Sequence, residues 1–179
     1  VRVIQGEKVQ GTIWVGIDCG KAGAVAVVVN PETVYAFHVP TVVTRKKRPR
    51  KKTASGKPSI STTVEYDLPA MCQLIRNIAD LYAEHTVKIA IERQQGMPRD
   101  SKRTVFAVGR GQGLWEMAAT AAGIEPVLIK PAVWKLCYVE EKADKEASVA
   151  VCKQILPGLT LKLRKDEALA EAALIADYI

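Results

Sequence analysis

The stretch "WVGIDCGKAGAVAVVV", Trp14 to Val29, constrains the fold of this chain more than any other. An apolar run reaches Asp18, breaks at Gly20 and Gly23, and resumes as a second apolar run. Short β-branched runs parted by glycines read as neighbouring strands joined by a tight turn. Asp18 therefore ends a core strand. A carboxylate buried there without a partner is expensive, so it requires hydrogen bonds, a cation or a metal ion.

The surrounding pattern supplies the sheet. Thr12–Cys19, Ala24–Val29 and Thr33–Val39 predict three consecutive strands with short links, the third bracketed by Pro31 and Pro40. Leu68, Cys72, Ile75, Ala79 and Tyr82 recur at helical spacing and predict a helix over Asp67–His85. Val87–Ile91 predicts a strand ending at Glu92, a second carboxylate in the position of the first. A helix over Val105–Ala122, a strand over Glu125–Ile129, a short turn of helix from Pro131, and helices over Ala143–Leu156 and Asp166–Tyr178 complete the chain. Asp166 is the expected N-cap of the last helix. The expected fold is α/β: a mixed five-stranded sheet in βββαβαβα order, flanked by helices, forming one domain over residues 1–179.

Further acids lie in the last helix. Glu167 and Glu171 are four residues apart and share one helical face, where without a counter-ion they repel. Glu171 stands inside "ALAEAALIA", with only apolar neighbours. Acids in a first helical turn are favoured by the macrodipole, so Asp166 and Glu167 alone say little. Asp18, Glu92 and Glu171 together point to a hard divalent cation, since Mg²⁺ takes carboxylate, water and phosphate oxygens.

The net charge of +7 is concentrated. "RKKRPRKKTASGK", Arg45 to Lys57, holds eight cations and no acid; taking those eight from +7 leaves −1. The expectation is a basic loop inserted at about 41–63. Either a solvated loop or a nucleic-acid contact fits the charge, and a localisation signal is a third reading. The four cysteines form no CxxC pair and there are only two histidines, which argues against zinc. Cys19, Cys72, Cys137 and Cys152 sit among apolar residues and read as small buried hydrophobes of a reducing intracellular compartment. No apolar run is long enough to span a membrane. The chain begins at Val1 and not Met, which leaves targeting open.

Four segments, "GIDCGKAGAVAV", "IAIERQQ", "GQGLWEMAATAAGIEPVLIKPAVWK" with "KADKEASVAVCKQILP", and "KDEALAEAALIADY", resemble in order the RuvC-type Holliday junction resolvases of the RNase H-like superfamily, in a pattern like the phage and chloroplast members. The resemblance spans Gly16 to Tyr178. It implies a carboxylate cluster holding two Mg²⁺ ions, with Mn²⁺ able to substitute, and no small-molecule cofactor. Asp18 matches the first-strand aspartate, Glu92 the acid ending the fourth strand and Glu171 the final-helix acid. The fourth ligand is Glu167, with Asp166 its rival. Lys135 and Lys145 match lysines placed near the scissile phosphate.

The implied activity is metal-dependent cutting of four-way DNA junctions by a homodimer. The candidate dimer surface is the helix around "GLWEMAATAA", with an apolar face of Leu114, Trp115, Ala118 and Ala122. Candidate DNA contacts are Arg45, Lys46, Lys47, Arg48, Arg50, Lys51, Lys52 and Lys57 in the basic stretch. Arg93, Gln95, Met97, Arg99, Lys102 and Arg103 in the polar loop after Glu92 add to them. Two departures stand out. Cys19 replaces a frequent proline, and Gln95 occupies the position of an aromatic wedge, leaving Met97 as the nearest apolar side chain. The alternatives are a general branched-DNA nuclease and a catalytically silent nucleic-acid-binding module of the same fold, whose signature would be loss of the acids, and all of these are present. A sugar-kinase-like ATPase would need a second similar domain, for which 179 residues are too few.

Overall fold

The computed structural model describes residues 11–52, 58–96, 101–138, 145–162 and 165–179, and of residues 46–52, 58–60 and 145 only the backbone. Three strands, β1 (Thr12–Asp18), β2 (Ala24–Asn30) and β3 (Thr33–His38), form an antiparallel meander. On the other side of β1 lie β6 (Thr86–Glu92) and β7 (Val127–Ile129), both parallel to their neighbours. The order is β3-β2-β1-β6-β7, so the mixed five-stranded sheet expected from the sequence is present.

Period-two alternation sorts the strand residues to two faces. Ile13, Val15 and Ile17 of β1, with Ile89 and Ile91 of β6, pack under α1 (Leu68–Leu81) and α2 (Lys102–Ala121). Trp14 of β1, Ala24, Ala26 and Val28 of β2, and Ala90 of β6 face α3 (Pro131–Tyr138), α4 (Lys145–Ile155) and α5 (Glu167–Tyr178). Helix α5 buries Ala170, Ala172, Ala173, Leu174, Ile175 and Ala176 completely. Its alanines let it lie directly on β1. A Cβ at Gly16 would run into the α5 backbone at Ala172 and Ala176, so glycine is what permits the approach.

The basic stretch departs from expectation. It is not a loop: β4 (Thr41–Lys52) and β5 (Pro58–Tyr66) form a two-stranded antiparallel ribbon, paired from Thr41↔Tyr66 to Arg48↔Ser59. The register shifts between Arg48 and Lys52, around Pro49, which has no N–H to give the ladder. The ribbon is anchored at its base. Tyr66 is buried and its hydroxyl donates to the Cys19 carbonyl at 3.2 Å, while Glu65 takes Lys21 at 3.2 Å and Arg110 at 3.0 Å.

Other boundaries shift less. Helix α2 begins at Lys102 and not near Val105, because Ser101 accepts the Thr104 N–H as a cap. Asp166 stands at the N-cap position of α5 without capping it; its carboxylate accepts the Lys162 N–H instead. All four cysteines are free thiols, and Cys137 is exposed, against the expectation of burial. Among the described residues no helix is long and apolar enough to cross a membrane.

Candidate active site

Strand register brings the first two acids together. β1 and β6 run parallel with Ile17 opposite Ile91, and the next residue on each strand is Asp18 and Glu92. Both follow the alternation of Gly16 and Ala90, which places them on the α5 face. The turn after Asp18 is tight. Gly23 donates to the Gly20 carbonyl at 2.9 Å, and a Cβ on Gly23 would collide with Asp18 itself. Because α5 is seated on Gly16 through Ala172 and Ala176, its preceding turn, with Glu167 and Glu171, overlies the end of β1.

The acids sense one another. Burial pushes the Asp18 carboxyl up to about 6; the Gly20 N–H and Lys135 oppose the rise, while the charges of Glu171 and Glu167 add to it. Burial pushes Glu92 up to about 7, with Asp18 and Glu171 adding and the Trp134 hydrogen bond and Lys135 opposing. The Lys135 ammonium is drawn down by burial, but its hydrogen bond to Glu171 and the charges of Glu171, Glu92 and Glu167 outweigh that and hold it above the usual lysine value. Cys19, next to Asp18, is buried and raised to about 12 by burial and by the charges of Asp18 and Glu92, so it stays a neutral thiol.

Asp18, Glu92 and Glu171 each accept a hydrogen bond. Glu92 is 8% exposed and accepts Trp134 Nε1 at 3.2 Å on one oxygen and Gln94 Nε2 at 3.0 Å on the other. Gln94 is tied in turn to α2, its N–H donating to Gln112 Oε1 at 2.9 Å. Glu171 accepts Lys135 Nζ at 2.7 Å, and Asp18 accepts a long 3.4 Å bond from the Gly20 N–H. The Asp166 carboxylate is engaged by the Lys162 backbone, and the charge of Glu167 reaches Asp18 and Lys135.

Several carboxylates are the kind of donor set that a hard divalent cation takes. Among the described residues, no three such side chains stand close enough together to hold an ion; Glu92 is engaged by Trp134 and Gln94, Glu171 by Lys135 and Asp18 by the Gly20 N–H. Buried carboxylates that repel one another, with an ammonium already drawn among them, are what a cation site looks like chemically. The residues therefore fit Mg²⁺ or Mn²⁺.

Around this edge Arg93, Gln95, Lys102 and Arg103 are exposed, as is Arg45 on the ribbon. Lys46, Lys47, Arg48, Arg50, Lys51 and Lys52 lie along β4, and Lys145 opens α4. Met97, Arg99 and Lys57 lie outside the described residues. The sequence reading missed Trp134, Gln94, Gln112 and Tyr66. None of them left a signal in the sequence, because each acts through a contact that only the fold sets.

The face assigned to dimer contact belongs to the core. Trp115 and Ala118 are buried under the sheet, and Leu114 and Ala122 pack against them. The outward face of α2 instead carries Phe106, 73% exposed, and Met117, 66% exposed, with Gly109 and Gly113 between them. A Cβ on either glycine would meet nothing within 4 Å.

A meander of three antiparallel strands continued by two parallel ones, with helices on both faces, is an RNase H-like fold of the RuvC kind. The chain is similar to the Thermus thermophilus RuvC structure at a TM-score of 0.54 and 17% identity, over 93% of this chain and 92% of that one. It is similar to T. thermophilus RuvC in complex with Holliday junction substrate at a TM-score of 0.58 and 19% identity, over 93% and 91%. No protein-family model matches the chain. No curated protein matches it by sequence.

Proposed function

We propose that the protein is a metal-dependent endodeoxyribonuclease that resolves four-way DNA junctions. The observation that carries this reading is the meeting of Asp18, Glu92 and Glu171, from three distant parts of the chain, at one sheet edge beside exposed basic residues. The RuvC-like fold supports it, and one of the similar structures is a junction complex.

Asp18, Glu92, Glu171 and Glu167 would hold two Mg²⁺ or Mn²⁺ ions. When bound, such ions supply Lewis acidity to the attacking water and the departing oxygen of a phosphodiester. The chain's own residues do the rest. Trp134 and Gln94 fix the Glu92 carboxylate by one hydrogen bond to each oxygen. Lys135 offers positive charge where a phosphate gains negative charge, and Lys145 is its counterpart on α4. Arg93, Lys102, Arg103 and the basic ribbon hold phosphates away from the reacting bond, giving affinity without sequence choice. The expected products are paired nicks with 5′-phosphate and 3′-hydroxyl ends.

Two symmetric cuts need two sites related by a two-fold axis. The outward face of α2, Phe106-Gly109-Gly113-Met117, is the surface we assign to that pairing, because missing Cβ atoms between two exposed apolar side chains let a second copy of the helix come close.

The reading is tested on a synthetic four-way junction with Mg²⁺ or with EDTA. Wild type should cut only with the metal, and Asp18→Asn should bind the junction without cutting it. Binding without cutting by wild type would leave a silent binding module; cutting that survives Asp18→Asn would remove the carboxylates from the reaction.

A further inference from the structure

Lys135 is the one side chain in the site whose position is hard to reconcile with a passive supporting role. It projects from α3 and is 38% exposed, on a flexible four-carbon stem. Its ammonium lies 2.7 Å from Glu171 Oε1 and 5.2 Å from the centroid of the Trp134 ring. Its charge also reaches Asp18 and Glu92. It therefore stands in contact with one of these acids and within the field of the other two.

An ammonium proton and a metal ion cannot both take the same lone pair of Glu171 Oε1. We propose that Lys135 is an exchangeable internal counter-ion: it neutralises the carboxylate cluster in the metal-free protein, competes with the divalent cation for Glu171, and is released when that cation binds. This rests on the metal-site reading above and adds to it. A released ammonium seeks another anion, and the phosphate of a bound strand is the nearest in kind. Strand binding and metal binding then favour one another, because each removes the lysine from Glu171 or gives it somewhere to go. Such coupling is reciprocal by thermodynamic necessity.

The test titrates Mn²⁺ into the full chain without DNA and reads free Mn²⁺ by electron paramagnetic resonance. A thermal melt in EDTA accompanies it. Lys135→Met should bind Mn²⁺ about 3- to 30-fold more tightly than wild type while melting lower in EDTA, because the acids lose their counter-ion. Lys135→Gln, with a polar head on a shorter stem, should show the same signs and serves if the Met variant does not fold. Lys130→Met removes an equal charge from an exposed lysine just before α3 and should tighten Mn²⁺ by less than about 2-fold. Unchanged or weaker Mn²⁺ binding in both Lys135 variants would overturn the proposal, as would an equal gain in the Lys130 variant. Failure of wild type itself to bind Mn²⁺ would instead defeat the metal-site reading, whatever Lys135 does.

Discussion

Asp18 and Glu92 hold protons at a pH where exposed carboxylates have lost them. In the unfolded chain both titrate near the ordinary values of 3.8 and 4.5; in the fold, burial and mutual repulsion raise them to about 6 and 7. The folded state binds these protons more tightly, so their stabilising contribution is complete below about pH 4 and is lost as pH rises through 6 to 7. Metal-free protein should therefore lose on the order of 3 kcal/mol between pH 5 and 8 from this pair. Asp18→Asn should flatten that loss and raise the melting temperature in EDTA at pH 8 by about 5 °C. A melting series in EDTA decides it, and an unchanged pH slope in the variant would show that Asp18 is not the strained group. Gly16 makes a different residue-scale case. Gly16→Ala forces a methyl into the α5 backbone and should cost about 3 kcal/mol in denaturant unfolding, because backbone on both sides cannot yield. Asp18 and Glu92 were visible in the sequence because a charge ending an apolar run is conspicuous. Trp134 and Gln94 were not, because the hydrogen bonds that matter run between segments 42 and 2 residues apart whose geometry only the fold sets.

The ribbon and α2 are where local pattern misled. Strands show themselves by an apolar face, and β4 past Thr44 has almost none, so the basic stretch reads as loop. What makes it a strand is the partner β5 and the anchoring of Tyr66, Glu65, Lys21 and Arg110 at its base. That anchoring projects a charged arm from the edge that carries Asp18. Replacing Arg45, Lys46, Lys47, Arg48, Arg50, Lys51 and Lys52 with Gln keeps the ribbon and should weaken junction binding, flattening the dependence of log affinity on log salt by a few units. An unchanged slope would remove the ribbon from the DNA interface. Helix α2 shows the converse difficulty. An apolar stripe says that a face is covered, not by what, and the Leu114-Trp115-Ala118-Ala122 stripe is covered by the chain's own sheet. Glycines at 109 and 113 look like weak points in a helix, yet they open its outward face. Met117→Arg should turn a dimer into monomers in sedimentation equilibrium while leaving the melting curve of the monomer nearly unchanged. A wild type that is already monomeric at tens of micromolar would refute this pairing surface.

Over the whole molecule, the fold acts as a jig. A parallel register sets two acids side by side, an alanine-rich helix pressed on Gly16 lowers two more over them, and a ribbon whose sequence is rich in lysine and arginine is tied to the same strand end. The five strands of the main sheet and the helices between them were readable from the sequence because strand period, glycine turns and helix spacing agreed. Pairing of β4 with β5, and the true outward side of α2, depended on tertiary partners that no local window contains. The assembled device should act on both sides of a branch at once. The measurement that tests this most directly maps nick positions on a labelled, mobile four-way junction with Mg²⁺. Nicks at symmetric positions on two opposing strands, absent in EDTA, are the expected result; scattered or single-strand nicks, or an uncut junction held in a stable complex, would contradict it.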